Sequence, residues 1–233
     1  MENRKITGLH DLERVILRDE ELFELFVQEV TVTVTEMFRD PDFYKSLREK
    51  VRARLATYPL IRVWIAGCAT GEEVFSMAIL LKEEGLLERT LIYATDINQR
   101  CLKKATEGIL PIDRMAAYTA NYLKSGGKNS FSEYYLAKFD GALMDKTLRQ
   151  AILFSAHNLT MDQSFNEFQL ILCRNVLIYF NQGLQNKVLG LFYESLCPFG
   201  ILALGNKESL LSSDKGDKYR TIDKKQKIFM KQL

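Results

Sequence analysis

Two adjacent acids, Glu72 and Glu73, follow the small residues of "AGCATGEE", and a third acid, Asp96, closes the run "TLIYATD". Small residues let backbone approach a ligand closely. Acids at the start of a helix would repel a phosphate from its N-terminus, so they suit a cationic ligand. An acid that ends a strand can accept hydrogen bonds from both hydroxyls of a ribose. A polar pair, Arg174-Asn175, breaks the apolar run "LCRNVLIYF". A ribose with a positively charged neighbour and no phosphate describes S-adenosylmethionine. On that reading Glu73 sits near the methionine amine or sulfonium, and Asp96 holds the ribose. Each feature also has a plainer reading. Acids in a first helical turn stabilise the helix dipole, and Asp96 could be an N-cap.

These residues need elements to position them. "IRVWIAGC" reads as a strand, and "GEEVFSMAILLKEEG" as an amphipathic helix behind it. "TLIYATDI", "AILFSAHNL", "QLILCRNVLI" and "ILALG", opened by Gly200, read as further strands. "NQRCLKKATEG" and "NQGLQNKVLGLFYESL" read as helices. Alternating strands and helices predict a parallel sheet covered on both faces. The tail "YRTIDKKQKIFMKQL" predicts one final strand, antiparallel at an edge. Ligands of such sheets bind beyond the carboxyl ends of the strands, where the acids and the Arg174-Asn175 pair fall.

Ahead of this region, residues 8–30 have apolar positions at helical spacing and predict one or two amphipathic helices. "TVTVTEMFRDPDF" alternates briefly in β-branched residues. Asp40-Pro41 signals a helix start, and the helix it opens should end before Pro59. Between 126 and 150 the alternation is interrupted. "YYLAKFDGALMD" reads there as two short strands around an Asp140-Gly141 turn.

The chain has 233 residues, 47% of them hydrophobic, enough for one sizeable core with a small helical appendage. Its net charge of +2 comes without a block of like charges, which argues against a nucleic-acid or membrane tail. No apolar run approaches the roughly 18 residues a membrane span needs, and "MENRK" lacks a signal-peptide core, so a cytoplasmic protein is expected. Cys68, Cys101, Cys173 and Cys197 are scattered without a CxxC and read as reduced, buried thiols. His10 and His157, the two histidines, are too far apart to suggest a zinc site or a Ser-His-Asp triad.

Together the stretches "TVTEMFRDPDFY", "VWIAGCATGEEVFSMAILL", "IYATDIN", "FSAHNL" and "LCRNVLIYF" are more specific than any one alone. From about residue 8 to its C-terminus the chain resembles the CheR-type chemotaxis protein methyltransferases. These esterify glutamate side chains of chemoreceptors with S-adenosylmethionine and release S-adenosylhomocysteine. The resemblance implies an α/β, Rossmann-like methyltransferase with a mixed sheet, a small inserted β-subdomain and a short helical N-terminal region. It divides the chain into a truncated helical region (1–30), a linker segment and helix (31–59) and a methyltransferase domain (60–233) with its β-subdomain at about 126–150. Family members usually carry at least one further basic helix before the point where this chain begins.

Residue by residue, the resemblance places Thr33, Thr35 and Arg39 on the cofactor from the linker, though the family often has Asn where Thr33 stands. Glu73 matches the acid near the methionine end, leaving Glu72 as a helix cap, and Asp96 matches the ribose acid. Val74 and Phe75 stand where the family often has Pro-Tyr. Asn158 and Leu159 match the pair beside the adenine, and Asn175 and Val176 the pair under the reacting end. Tyr179 matches the tyrosine facing the methyl group, with a core tyrosine as its alternative. Arg39 and Tyr179 are the expected catalytic residues, acting by positioning. No metal is expected, and the implied partner is the helical cytoplasmic region of a chemoreceptor, with neither nucleic acid nor membrane insertion.

In some members the β-subdomain grips a receptor C-terminal peptide. Gly141 alone lies inside this hairpin, which favours a tether-independent enzyme. Two rivals remain. A non-catalytic S-adenosylmethionine-binding signalling module would need Glu73 and Asp96 but neither Arg39 nor Tyr179. An NAD-linked oxidoreductase would need a GxGxxG turn, which "AGCATGEE" lacks.

Overall fold

The computed structural model describes residues 8–16, 18–30, 35–210 and 213–233. Two helices come first, α1 (Leu9–Ile16) and α2 (Glu20–Val30). α3 (Pro41–Ser46) runs through a π-helical turn (Leu47–Val51) into α4 (Arg52–Leu55). Then follow β1 (Ile61–Ala66), α5 (Glu72–Glu83), β2 (Thr90–Asp96), α6 (Gln99–Glu107), β3 (Ile109–Pro111) and α7 (Met115–Lys124). β4 (Tyr135–Lys138), β5 (Gly141–Met144), α8 (Lys146–Gln150), β6 (Ile152–Ala156) and β7 (Phe168–Cys173) come next. α9 (Gln182–Ser195), β8 (Leu196–Leu204), β9 (Tyr219–Asp223) and β10 (Ile228–Lys231) complete the chain.

Seven strands form one sheet in the order β6-β2-β1-β7-β8-β10-β9. β6, β2, β1, β7 and β8 are parallel neighbours, and β10 and β9 are antiparallel. The central strands are apolar runs because helices cover both faces. Alternate side chains go to opposite faces. Val63 and Ile65 of β1 join Leu170 and Leu172 of β7 in the core under α5. Trp64 and Ala66 join Ile171, Cys173 and the α9 residues Val188 and Phe192 in the other.

Helix α5 departs from its sequence reading. It is buried nearly all round rather than amphipathic, with Val74, Phe75, Ser76, Met77, Ala78, Ile79, Leu80 and Leu81 all buried. Its outer face is covered by the linker helix and by α7, which the local pattern could not show. Phe38 N–H donates to Ser76 Oγ at 2.9 Å. Arg48 pairs with Glu83 and, at 2.9 Å, with Glu84, and Tyr122 donates to Glu83. The linker helix itself is interrupted by the π turn.

The hairpin around Asp140-Gly141 forms, but it does not stand alone. β3 pairs with β5 from the other side, giving a second sheet in the order β3-β5-β4. Three residues, "ILP", were too short to read as a strand. The predicted strand after Gly200 starts earlier, at Leu196, with an irregularity where it meets Phe168 to Leu170.

The predicted single tail strand is instead the β9–β10 hairpin, and its inner strand is β10. Asp223 makes the reversal: its Oδ1 accepts from the N–H groups of Lys225 (3.0 Å) and Gln226 (3.1 Å). Its Oδ2 accepts from Ser46 Oγ (2.7 Å) and Lys50 Nζ (2.6 Å), tying the linker helix to the sheet. Burial opposes its charge, but Lys50, Ser46 and Gln226 outweigh burial and pull its pKa down to about 2. A carboxylate depressed in this way contributes stability that is fully present above its unfolded pKa, near 4, and lost as pH falls toward 2. Asp223→Asn should therefore lower stability by about 1–2 kcal/mol at neutral pH. Urea unfolding across pH 2–7 should show wild type and variant converging below about pH 4. A gap that stays constant through that window rules the assignment out.

Candidate active site

From β1 the chain winds out through β2 to β6, and from β7 it winds the other way to β8. Their carboxyl ends therefore open a crevice, the usual ligand position in such sheets. A cleft of about 400 Å³ lies there, within the range of small-molecule sites.

Its floor is the turn after β1. Gly67 and Cys68 donate N–H bonds to Thr95 O at 2.8 and 2.9 Å, folding the turn over the end of β2. Gly67 has φ +80°, and a Cβ there would lie 2.4 Å from Val176 Cγ2, so only glycine fits. Asp96 Oδ2 accepts from Ala69 N–H at 2.8 Å and Oδ1 from Asn98 N–H at 2.9 Å. The N-cap of α6 is Asn98, whose Oδ1 accepts from Cys101 N–H, so Asp96 is free of that task. Both its oxygens are oriented, and each keeps acceptor capacity toward the cleft it lines.

The two adjacent acids part company. Glu72 is buried and accepts from Thr70 Oγ1 at 2.6 Å; burial raises its pKa. Glu73 lines the cleft, and its Oε1 is paired with Arg174 Nη1 at 2.6 Å. Arg174 is the residue sequence reasoning undervalued. Its side chain is 2% exposed, and Nη2 reaches Asp40 Oδ2 at 2.7 Å and Arg39 O at 3.3 Å. The guanidinium lies 4.0 Å from the Phe43 ring centroid. Burial disfavours its charge, but Glu73 and Asp40 more than compensate and raise its pKa. Asp40 does not cap α3 with its side chain; it has φ 57° and faces Arg174 instead. A cation inside an apolar run was the available signal, since a buried charge must be paired.

Thr35, Arg39, Asn158, Leu159, Asn175, Val176 and Tyr179 line the same cleft as Glu73 and Asp96. Thr33 lies outside the described residues. Asn158 Oδ1 is turned to Thr160, accepting from its N–H (3.0 Å) and Oγ1 (2.8 Å). Tyr179 is 57% exposed on the 3-10 turn Leu177–Tyr179, so it is not a core tyrosine. Arg39 makes no ion pair among the described residues. Glu36, Ile97, His157 and Ile178 also line the cleft without having been singled out from the sequence. Phe38, Asp40, Ala69 and Asn175 all have positive φ, so costly backbone conformations gather around the site. Among the described residues, no group of His, Cys, Asp and Glu could hold a metal ion, and no helix is long and apolar enough to cross a membrane.

The strand order and the antiparallel end of the sheet give a Rossmann-like α/β fold, and the family model that matches this chain makes it an S-adenosylmethionine-dependent methyltransferase. A family model described as "CheR methyltransferase, SAM binding domain" matches residues 33–228, and the chain belongs to that family. It is 51% identical over 220 residues to the putative methyltransferase Cher3 of Pseudomonas putida, covering 94% of this chain and 81% of that protein. It is 32% identical over 220 residues to chemotaxis protein methyltransferase 2 of Vibrio cholerae, covering 90% and 73%. With the chemotaxis protein methyltransferase of Listeria monocytogenes it shares 29% over 197 residues, covering 84% and 72%.

Proposed function

We propose that this chain methylates glutamate side-chain carboxylates in the helical cytoplasmic region of chemoreceptors, giving methyl esters and S-adenosylhomocysteine. The observation that carries this reading is the convergence of Thr35, Arg39, Glu73, Asp96, Leu159 and Tyr179 on one cleft from distant parts of the chain. Relatives named chemotaxis protein methyltransferases support the choice of substrate class.

The cleft fits the cofactor's functional groups. Asp96 presents two oriented acceptors suited to ribose hydroxyls. Glu73 presents Oε2 toward a cationic methionine end while Arg174 holds Oε1. Leu159 would cover the adenine, and the Asn158 amide would read its edge. Asn175 and Val176 support the reacting end. When bound, S-adenosylmethionine supplies a methyl group already activated by its sulfonium.

An ionised carboxylate needs no base. The bound cofactor would supply the methyl group for the new ester bond, and the chain would need to move no proton. The chain's contribution is alignment and exclusion of water. Arg39 orients the incoming carboxylate or the cofactor through charge-assisted hydrogen bonds. Tyr179, at the mouth, orients one reactant with its hydroxyl.

Transfer of labelled methyl from S-adenosylmethionine to a purified receptor cytoplasmic fragment tests the reading. The label should be released as methanol by mild base and lost when the receptor glutamates are replaced. Arg39→Ala and Tyr179→Phe should each lower turnover by about tenfold or more, with smaller changes in S-adenosylhomocysteine affinity. Tight cofactor binding with no transfer to any receptor fragment would point to the non-catalytic binding module instead.

A further inference from the structure

Glu208 lies outside the cleft, yet it holds the loop that lines the cleft's reacting end. Its side chain is buried, with the residue 4% exposed. Oε1 accepts from the N–H groups of Val176 and Leu177, each at 2.8 Å, and Oε2 accepts from Gly205 N–H at 2.5 Å. The Val176 and Leu177 amides lie past the end of β7 and the Gly205 amide just past the end of β8, so something outside the strand ladders must satisfy them.

Asn175 has φ 62° and Val176 φ −115°, ψ −48°, a left-handed then right-handed pair that turns successive N–H groups to one side. Such a concavity binds an anion, and here the anion is the chain's own. Burial pushes the Glu208 pKa up, while the amides of Gly205, Val176, Leu177 and Asn175 pull against that rise. Gly205 allows the approach. A Cβ there would come within 2.8 Å of both Asn175 N and Glu208 Oε2.

We infer that Glu208 is a positioning residue for methyl transfer, fixing the Asn175–Tyr179 loop through its backbone amides so that Asn175, Val176 and Tyr179 face the cofactor. This rests on the proposed methyltransferase reading. Glutamine in its place keeps one acceptor oxygen but turns an N–H₂ group toward a backbone donor. The loop would then shift without loss of side-chain volume. Displacements of about 1 Å at a reacting centre cost up to about a hundredfold in rate.

Glu208→Gln should lower kcat/KM for methyl transfer by between about tenfold and about a hundredfold, chiefly through kcat. Its loss should be non-additive with that of Tyr179→Phe and additive with that of Asp96→Ala, because only the first pair shares the loop. Amide exchange at Val176 and Leu177 should quicken in the variant while α9 stays protected. That readout needs no activity, so it separates failure of this inference from failure of the function.

Gly205→Ala, which keeps the carboxylate but presses a Cβ on both Asn175 N and Glu208 Oε2, should give the same kcat loss and exchange pattern if Glu208→Gln does not fold. A Glu208→Gln protein with kcat/KM within about twofold of wild type overturns the inference. So does a loss that is additive with both partners, the mark of general destabilisation.

Discussion

Arg174→Ala should be the most damaging single change near the site, costing about 3–5 kcal/mol of stability. The guanidinium is buried and forks between carboxylates on two elements, Glu73 of α5 and Asp40 ahead of α3. Removing it leaves Glu73, 13% exposed at the side chain, without its counter-ion, and it takes away the contact with the Phe43 ring. Arg174→Lys should recover only part of the loss. An ammonium is a point charge and cannot span two carboxylates as the planar fork does. Glu73→Gln combined with Arg174→Ala should be less harmful than the sum of the two, because the second change relieves the charge that the first strands. Urea unfolding of wild type, Arg174→Ala, Arg174→Lys, Glu73→Gln and the double variant measures this. A loss under about 1 kcal/mol for Arg174→Ala would show that water compensates both acids and that the pair is incidental.

Asp96→Ala should weaken S-adenosylhomocysteine binding by about 1.5–3 kcal/mol, the usual loss for hydrogen bonds to a charged acceptor. That is roughly a tenfold to 150-fold rise in Kd by calorimetry. The carboxylate acts twice. It offers oriented acceptors to the cleft, and it holds Ala69, at φ 45°, through a 2.8 Å bond. Asp96→Asn separates the two tasks: it keeps one acceptor oxygen but presents N–H₂ to Ala69 N–H or Asn98 N–H, so its binding should fall between wild type and Asp96→Ala. Wild type should bind S-adenosylmethionine and S-adenosylhomocysteine but not NAD, since no phosphate turn follows β1. Unchanged affinity in Asp96→Ala sinks the ribose assignment.

The residues with chemistry were legible because they stand at the ends of periodic runs. Asp96 closes β2 and Glu73 opens α5, and small residues mark the turn between sheet and helix. Strand and helix periods are set within a few residues, so the alternation of elements and the strand-end location of the site follow from sequence. What each polar group pairs with does not. Glu72 and Glu73 are neighbours with the same side chain, yet one is buried against Thr70 and the other faces the cleft. Helical geometry turns adjacent side chains roughly 100° apart, and only the packing of α5 between the sheet and α7 decides which side is open.

Sequence by itself determined the sheet class, which depends on local period, and marked Glu73 and Asp96 by residue type at a helix start and a strand end, while the resemblance to the methyltransferase family supplied the remaining residues proposed to surround the cofactor. Tertiary structure alone decided that α5 has no solvent face, that the tail doubles back at Asp223, and that a third strand completes the small sheet. It also decided the fate of the buried charges. Arg174 meets Asp40 across 134 positions, and Glu208 reaches Val176 across 32. A buried charge requires a partner, so the need was visible in "LCRNVLIYF". Which acid meets it depends on how the sheet brings distant loops to one edge, and no local pattern carries that information.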